Sequence, residues 1–514
     1  MKETAYITGL AAILPACVTG SALLGCAPHA APPVEAPPLE VVDRENRPRP
    51  PYAFDVPDAE FLDRVQRGAF LYLWEVADPA TGMVFDRSSA QVISVAGVGF
   101  QLSAIPVGIE RGWISREQGL ERTARILTSL AREPANRKGG MFYHYLEAGT
   151  ARPTTKGYET VVSTIDSAIL LSGMITVSSY FGGAIAKDAD AMIAAVDWAY
   201  FVEHSPSEPW AKGFISLGWK PADIAAPTGN GSLLPYYWAD AGDEQKLVTL
   251  LAVSAPEPSK RVPPATYFRL RRQLGTYADS GLFVWFPWSG ALFTNFFAHC
   301  WIDYAHAGPD DPAAFGVPNR PRVDWWENAR RAVIMHRRKA VENPRKLPTL
   351  GEDAWGLGAH DAAGGYVVNH LFPAPVAWPG AREGADYPRI AVKDQWGDGT
   401  VAPYNAGCAV LFEPRAATAA LRHYAEVKDT QGHPLVWREP AVGSYGFQDA
   451  FNLGTGWCAP DCVAIDQGPM ILCIENARTG LIWKLFSRHP SITEGVRRVG
   501  LNASTIPPSP EHGP

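Results

Sequence analysis

Residues 160–181 form the segment that most constrains how this 514-residue chain can fold. The run is apolar around almost its whole circumference and ends at Gly182-Gly183, which predicts a helix stopped by a glycine cap. A helix without a polar face needs partners on every side, because its apolar surface must leave water. The segment therefore predicts an inner helix with an outer layer around it.

Amphipathic helices that suit such an outer layer are predicted elsewhere in the chain. Residues 61–76 place their apolar side chains on one face at the helical period. Ser115 and Gln118 have the spacing of a capping box, which predicts that a second helix starts after Ser115. Further candidate helices are residues 184–202, 243–253, 290–306, 325–339, 413–427 and 470–479. A solvent-facing layer around a buried layer is the pattern of a helical toroid.

Composition is compatible with one large core or with two domains. Hydrophobic residues make up 46% of the chain and aromatic residues 11%, whereas the net charge is only -7. This mild charge gives no reason to expect a nucleic-acid partner. The sequence lacks a Gly-x-Ser-x-Gly elbow, a His-Glu-x-x-His pair, a P-loop and a dinucleotide fingerprint, so no cofactor is expected.

The first residues resemble a bacterial export signal. Lys2 precedes an apolar run that ends in Leu23-Leu24-Gly25-Cys26, and this tetrapeptide resembles a lipobox. Cleavage before Cys26 would leave a cysteine that carries acyl chains, so we expect a lipid anchor rather than a transmembrane helix. Ala27 would favour the outer membrane if the organism is Gram-negative.

The predicted organisation has four parts. Residues 1–26 are the lipoprotein signal peptide, and residues 27–55 are a tether, because eight prolines between Ala27 and Tyr52 favour extended chain. Residues 56–490 are the main folded part, and residues 491–514 are a C-terminal tail.

Five cysteines remain after Cys17 and Cys26, an odd number in a compartment that permits disulfides. Cys458 and Cys462 could form a disulfide within one loop. No second cysteine pair or histidine pair lies at ligand spacing, so no metal site is expected.

Acidic residues recur inside apolar runs, where a carboxylate needs a partner or a function. Asp466 and Glu475 both lie in the apolar segment 464–480, and each could serve a salt bridge or an active site. Asp166 either caps a helix that starts near Ser163 or lines a cavity. Glu159 would share the face of Asp166 if that helix already included it.

Long loops rich in glycine, proline and tryptophan separate the predicted helices, and such loops often carry function. Tryptophans lie in or beside them at positions 219, 238, 285, 288 and 396. These rings could stack on sugars or could pack in the core. Paired carboxylates in an aromatic-lined cleft would suit the hydrolysis of a glycosidic bond.

Nine short motifs together resemble the bacterial glycoamylase-like domain family, which includes endo-β-1,2-glucanases. They run in family order from about residue 61 to residue 483. The motifs are Gly82-Met83-Val84-Phe85-Asp86-Arg87, Val98-Gly99-Phe100, Glu110-Arg111-Gly112-Trp113, Ser163-Thr164-Ile165-Asp166-Ser167, Gly218-Trp219-Lys220-Pro221, Asp398-Gly399-Thr400-Val401-Ala402-Pro403, Phe412-Glu413-Pro414, Tyr445-Gly446-Phe447-Gln448-Asp449-Ala450-Phe451-Asn452, and Ile465-Asp466-Gln467-Gly468-Pro469 with Glu475-Asn476.

The resemblance implies an all-α (α/α)6 toroid with a substrate cleft across one end. It also implies hydrolysis of a β-linked glucan, most simply β-1,2-glucan, with inversion and without metal. Motif matching places Glu244 at the family's acid position and Asp466 or Asp449 on the base side. The implied substrate-binding residues are Asp86, Arg87, Glu159, Asp166, Trp219, Trp285, Trp288 and Trp396.

The resulting hypothesis is a monomeric, lipid-anchored glycoside hydrolase whose partners are an oligo- or polysaccharide and, through Cys26, the membrane. A transglycosylase, a hydrolase of another glycan and a non-catalytic glycan-binding lipoprotein remain as alternatives. Asp466 is assigned to the cleft. Glu475 is assigned to structure, with Arg478 three residues later as its expected partner.

Overall fold

The computed structural model describes residues 39–155, 160–207, 209–377 and 393–501. In chain order, the α-helices are α1 (Val56–Glu75), α2 (Val95–Glu110), α3 (Arg116–Arg132), α4 (Thr164–Phe181), α5 (Gly183–Ala195), α6 (Asp243–Ser254), α7 (Ala265–Arg269), α8 (Tyr304–Ala307), α9 (Trp325–Glu342), α10 (Pro403–Ala409), α11 (Pro414–Glu426), α12 (Ala464–Arg478), α13 (Leu481–Arg488) and α14 (Pro490–Arg498).

The strands are short. They are β1 (Val92–Ser94), β2 (Arg137–Lys138), β3 (Met141–Phe142), β4 (Tyr145–Glu147), β5 (Val162–Ser163), β6 (Gly218–Pro221), β7 (Gly231–Leu233), β8 (Gln273–Thr276), β9 (Leu282–Trp285), β10 (Ala359–Ala362), β11 (Gly365–Val368), β12 (Ala374–Pro375), β13 (Trp437–Ala441), β14 (Ser444–Phe447), β15 (Phe451–Asn452) and β16 (Trp457–Cys458). In the described ranges they form antiparallel sheets of two or three strands. The prediction of an all-α chain is therefore wrong in this detail, although helices build the core.

The apolar segment forms α4, and its side chains are buried from Thr164 to Ser178. The helix starts where the backbone N–H of Asp166 donates to the hydroxyl of Ser163 at 3.3 Å, and it ends at Gly182, whose φ is 66°. Among the described residues, α4 alone is long and apolar enough to cross a membrane, but 83% of it is buried inside the protein. The predicted inner helix is confirmed.

Helix α2 crosses α4 so closely that glycine is required on both helices. A Cβ atom at Gly99 would lie 2.3 Å from the carbonyl oxygen of Ile169, and one at Gly173 would lie 2.3 Å from the carbonyl oxygen of Gly99. Helix α2 was not among the predicted helices. It contains three glycines and Pro106, which disfavour an isolated helix, so tertiary packing must outweigh propensity here.

Buried and amphipathic helices pack in two layers. Helix α12 contacts α1, α2 and α10, while α6 contacts α4 and α14. Almost every side chain of α2, α4 and α12 is buried. The outer α3 begins at the predicted capping box, in which Gln118 N–H donates to Ser115 Oγ at 3.2 Å and Ser115 N–H donates to Gln118 Oε1 at 2.8 Å.

Three sequence-based boundaries differ from the structure. Residues 290–306 do not form one helix but short 3-10 turns followed by α8. Helix α12 starts at Ala464 rather than at 470, since Pro469 is tolerated in its first turns. The folded part also extends further, because Val41 pairs with Val323 within the predicted tether and α14 packs on α6 beyond residue 490.

Candidate active site

The first turns of three helices carry acidic residues, and long-range hydrogen bonds join the start of α4 to the segment before α6 and the start of α12 to Asp86. Asp166 lies in the first turn of α4, Glu244 in that of α6 and Asp466 in that of α12. The indole N–H of Trp238, just before α6, donates to Thr164 Oγ1 at 2.8 Å. The backbone N–H of Ala464 donates to the carbonyl oxygen of Asp86 at 2.8 Å. Asp86, Asp166, Glu244, Asp449 and Asp466 are called the acidic cluster below.

Glu244 is half-buried, and its pKa is raised to about 8. Burial is the main cause, and the negative charges of Asp166 and Asp243 add to it. A helix N-terminus normally favours an ionised carboxylate, so burial and like charge must outweigh the helix dipole here. The Glu244 carboxyl therefore holds a proton at neutral pH, as a general acid requires.

Asp449 and Asp466 form a pair of buried carboxyls, each only 2% exposed. Apart from the hydrogen bond between the two carboxyls themselves, Asp449 Oδ1 and Asp466 Oδ2 have no hydrogen-bond partner in the described part of the chain. Burial, the charge of Asp449 and a hydrogen bond with Asp449 raise the pKa of Asp466 well above its usual range. Burial raises the pKa of Asp449 to about 6, while the hydrogen bond with Asp466 acts in the opposite direction. Asp466 thus holds the proton that the pair shares.

Arg87 binds carboxylates rather than standing free for a ligand. It contacts Asp361 at 3.0 Å, Asp461 at 3.7 Å and Asp86 at 3.8 Å. Asp361 in turn donates its backbone N–H to Asp449 Oδ2 at 2.7 Å. Arg87 therefore connects the residue-86 loop to the loop that carries Asp449.

The negative charges of Asp86 and Asp166 affect the pKa values of other carboxyls in the acidic cluster. Burial raises the pKa of Asp86, and Asp166 adds to the rise, while Arg87 and His144 oppose it. The charge of Asp86 in turn raises the pKa of Asp466. His144 Nε2 lies 3.4 Å from Asp166 Oδ1. Charge effects on pKa thus link Glu244 to Asp466 through Asp166 and Asp86.

Three of the four tryptophans predicted to bind sugar are buried. Trp219 is 1% exposed, Trp285 7% and Trp396 6%. Trp285 packs edge-on against Phe372 with ring centroids 5.6 Å apart. This burial argues against stacking platforms and favours core packing. Trp288 is half-buried, and its indole N–H donates to Asp240 at 2.7 Å.

The remaining predictions concern Glu159, the lipidation of Cys26, a possible disulfide between Cys458 and Cys462, and metal binding. Glu159 and Cys26 both lie outside the described ranges. Cys458 and Cys462 are free thiols in the structure. Among the described residues no group of three or more His, Cys, Asp or Glu side chains could hold a metal ion.

Glu475 has a structural role, but with a different partner from the one predicted. Arg111, directly after α2, donates to Glu475 Oε2 through Nη2 at 2.8 Å and through Nε at 3.0 Å. Arg478, the predicted partner, instead lies 3.1 Å from Asp63 and donates to Gln66. The partner Arg111 was invisible to local spacing, because it lies far away in sequence.

The sequence also missed residues that complete the region. Asp361 and Asp461 hold Arg87, and the hydroxyls of Ser88 and Ser89 each donate to Asp461 at 2.7 Å. Tyr366 on β11 is half-buried, and its pKa is raised by burial and then by Asp466 and Asp449. These residues sit on short strands and loops without a periodic pattern, so only the acidic character of Asp361 and Asp461 could have indicated them.

Two apolar cavities lie away from the acidic cluster. One of about 50 Å³ is lined by Leu250, Trp301, Phe486 and Ile492, among others. The second, of about 10 Å³, is lined by residues that include Leu251 and Ser491. Both adjoin the C-terminal half of α6, whereas Glu244 lies at its N-terminal end. Burial of titratable groups, rather than cavity size, therefore marks the candidate site.

Comparison with known proteins shows similarity over most of the chain. Residues 235–490 match a family model described as "Putative glucoamylase". An exo β-1,2-glucooligosaccharide sophorohydrolase (non-reducing end) from Parabacteroides distasonis is 27% identical over 478 residues. The match covers 87% of this chain and 58% of that relative, so the chain spans little more than half of the relative's length.

Solved structures of similar fold cover almost the same part of the chain. A protein of the same description from Bacteroides uniformis superposes with a TM-score of 0.70 at 26% identity, over 88% of this chain and 99% of the other. An endo-β-1,2-glucanase from Chitinophaga pinensis, bound to sophorotriose and glucose, gives a TM-score of 0.67 at 24% identity, over 87% and 98%. The matched segment 235–490 contains Glu244, Asp449 and Asp466, so these three residues lie in the part of the chain that is similar to the glycoamylase-like family.

Proposed function

We propose that the protein is a glycoside hydrolase that cleaves a β-linked glucan, with β-1,2-glucan as the first candidate. The observation that carries this proposal is the contrast between two groups of the acidic cluster: the pKa of Glu244 is raised to about 8 and that of Asp449 to about 6. Near pH 7 one carboxyl is then protonated while the other is ionised. This is the combination that glycoside hydrolysis needs.

The proposed mechanism is inverting. The protonated Glu244 donates its proton to the leaving glycosidic oxygen, and the ionised Asp449 accepts a proton from the attacking water. Inverting enzymes keep these two carboxyls roughly 6.5–9.5 Å apart to admit that water. Glu244 suits the first role because its pKa is raised to about 8, so the carboxyl is protonated at neutral pH.

Asp466 is proposed to act on Asp449 rather than on water. Its raised pKa keeps it protonated, so it donates a hydrogen bond to Asp449 and restrains the pKa of Asp449. Asp86 and Asp166 are proposed to bind glucose hydroxyls at the middle of the cluster. The helical layers are proposed to close into an (α/α)6 toroid that presents this cluster at one end.

A pH profile and two substitutions test the enzymatic proposal. We expect wild type to release sugar from β-1,2-glucan with a bell-shaped dependence whose limbs lie near pH 6 and pH 8. Glu244→Gln and Asp449→Asn should each lower kcat by about 10²–10⁴-fold. Full activity in both variants would refute the site assignment.

Product analysis separates the remaining alternatives. A panel of glucans with different linkages should give hydrolysis products of inverted anomeric configuration, with β-1,2-glucan preferred. Longer oligosaccharides among the products would instead indicate a transglycosylase. Retained glycan binding without release of sugar from any glucan would indicate a binding lipoprotein.

The protein is further proposed to be a monomer, exported and anchored by acyl chains on Cys26. The lipobox-like sequence and the proline-rich stretch that follows it support this placement. Cys26→Ser should abolish incorporation of labelled palmitate and release the protein from the membrane fraction. Labelling that persists in the variant would contradict the anchor.

A further inference from the structure

Three ionisable side chains lie in the core beside the start of α6, and the proposed reaction does not use them. Asp243 is 2% exposed, Lys246 2% and His299 0%. Asp243 is the residue immediately before Glu244. Buried charges destabilise a fold unless they are paired, and an apolar set of similar volume would often do as well. Packing alone therefore does not explain why these residues occur at this position.

The Asp243 carboxylate is held by four donors. Lys246 Nζ lies 2.7 Å from Oδ1, and His299 Nδ1 lies 2.7 Å from Oδ2. The backbone N–H groups of Ala298 and His299 also donate to Oδ2, at 3.0 and 3.4 Å. The first turn of α6 is thus fixed to the 3-10 turn at residues 298–300 from a separate part of the chain.

His299 is held from both sides of its ring. Its Nε2 lies 3.2 Å from the carbonyl oxygen of Trp325, and its Nδ1 faces the Asp243 carboxylate. Lys246 lies 3.9 Å from the centre of the Trp325 ring, a cation–π contact. Asp243 therefore sits between the buried ammonium group of Lys246 and the buried ring of His299.

We propose that Asp243 is a positioning residue that fixes the first turn of α6, so that the Glu244 carboxyl faces Asp166 in the acidic cluster. Consecutive residues on a helix project about 100° apart, so anchoring Asp243 on the core side sets the direction of Glu244. This inference rests on the proposed role of Glu244 as the acid.

The charge of Asp243 also gives the proposal a measurable signature. Two carboxylates raise the pKa of Glu244: Asp166 from α4 and Asp243 from α6 itself. Asp243→Asn removes one of them and leaves Lys246 without its counter-charge. Both effects favour ionised Glu244, so the basic limb of the pH profile should move to lower pH by about one unit.

A matched control is available in the same part of the core. Asp310 is a buried carboxylate that receives two hydrogen bonds from Arg272, at 2.8 and 2.6 Å, and one from the Trp325 indole. It is not among the charges that shift the pKa of Glu244. Asp310→Asn should therefore destabilise the protein while the basic limb stays in place.

A second variant keeps the test valid if Asp243→Asn does not fold. Lys246→Met preserves the length of the side chain but removes a positive charge, so Asp243 acts more strongly on Glu244. The basic limb should then move to higher pH, the opposite direction. Lower stability with an unchanged limb in Asp243→Asn and in Lys246→Met would overturn the proposal and reduce the cluster to packing.

A readout that does not need catalysis separates this inference from the proposed function. Glu244→Gln should increase the free energy of unfolding by an amount that depends on pH, because Glu244 ionises with its own pKa. Urea unfolding can measure this increase over a range of pH when Glu244→Gln is introduced into wild type and into Asp243→Asn. A midpoint of the dependence at lower pH in Asp243→Asn supports the proposal even if no glucan is hydrolysed. An identical midpoint in both backgrounds refutes it.

Discussion

Glu244 and Glu475 are both glutamates set into apolar helices, yet neutralising them should have opposite effects on stability. Glu244 has no cationic partner among the causes of its pKa shift and lies near Asp166 and Asp243. Glu475 is 2% exposed and receives two hydrogen bonds from Arg111. Glu244→Gln removes an unfavourable charge, whereas Glu475→Gln breaks an ion pair.

The magnitude for Glu244 follows from its pKa. A rise from 4.5 to about 8 corresponds to about 5 kcal/mol at 1.36 kcal/mol per unit. Because the side chain is only half-buried, solvent screening reduces this to about 2–3 kcal/mol. The folded protein binds more protons than the unfolded chain between these pH values, so wild-type stability falls as pH rises through them and the full loss is reached above pH 8.

Urea unfolding followed by tryptophan fluorescence at pH 5 and pH 9 measures these effects. Glu244→Gln should match wild type within about 1 kcal/mol at pH 5 and exceed it by about 2–3 kcal/mol at pH 9. Glu475→Gln should be less stable by about 3 kcal/mol at both pH values. An equal gain for Glu244→Gln at both pH values, or any gain for Glu475→Gln, would refute the reasoning.

Two further predictions concern Arg87 and the helix crossing. Arg87 lowers the pKa of Asp449, so Arg87→Met should move the acidic limb of the pH profile to higher pH and lower the activity at pH 6 by about 3-fold or more; an unmoved limb would contradict this. Gly99→Ala should destabilise the fold by about 3 kcal/mol, because the carbonyl oxygen of Ile169 cannot move aside. Gly351→Ala, with no atom within 4 Å of its Cβ position, should stay within about 0.5 kcal/mol in the same thermal unfolding assay.

Local patterns predicted much of the helical framework. The apolar run predicted α4, and the Ser115–Gln118 spacing predicted the start of α3, because capping and burial depend on residues close in sequence. Helix α2 was missed for the same reason. Its glycines and Pro106 disfavour a helix locally, and only the approach of α4 and α12 explains them.

The candidate site depends on contacts that local sequence patterns could not predict. The sequence singled out Glu244, Asp449 and Asp466 as acidic residues in apolar or glycine-rich surroundings. It could not show that Asp449 and Asp466 lie together, that Asp361 joins Arg87 to Asp449, or that Trp219 is buried. Each of these facts depends on segments that are distant in the chain.

Sequence alone determined which residues carry charge, that α4 must be an inner helix, and which family the motifs resemble. Tertiary structure decided the protonation of the acidic cluster, because a pKa depends on burial and on charges brought in by other segments. The segment 464–480 shows both: its apolar pattern fixed a buried helix, but folding gave Asp466 a second carboxyl and gave Glu475 an arginine. One carboxyl therefore became part of the candidate site while the other became an ion pair.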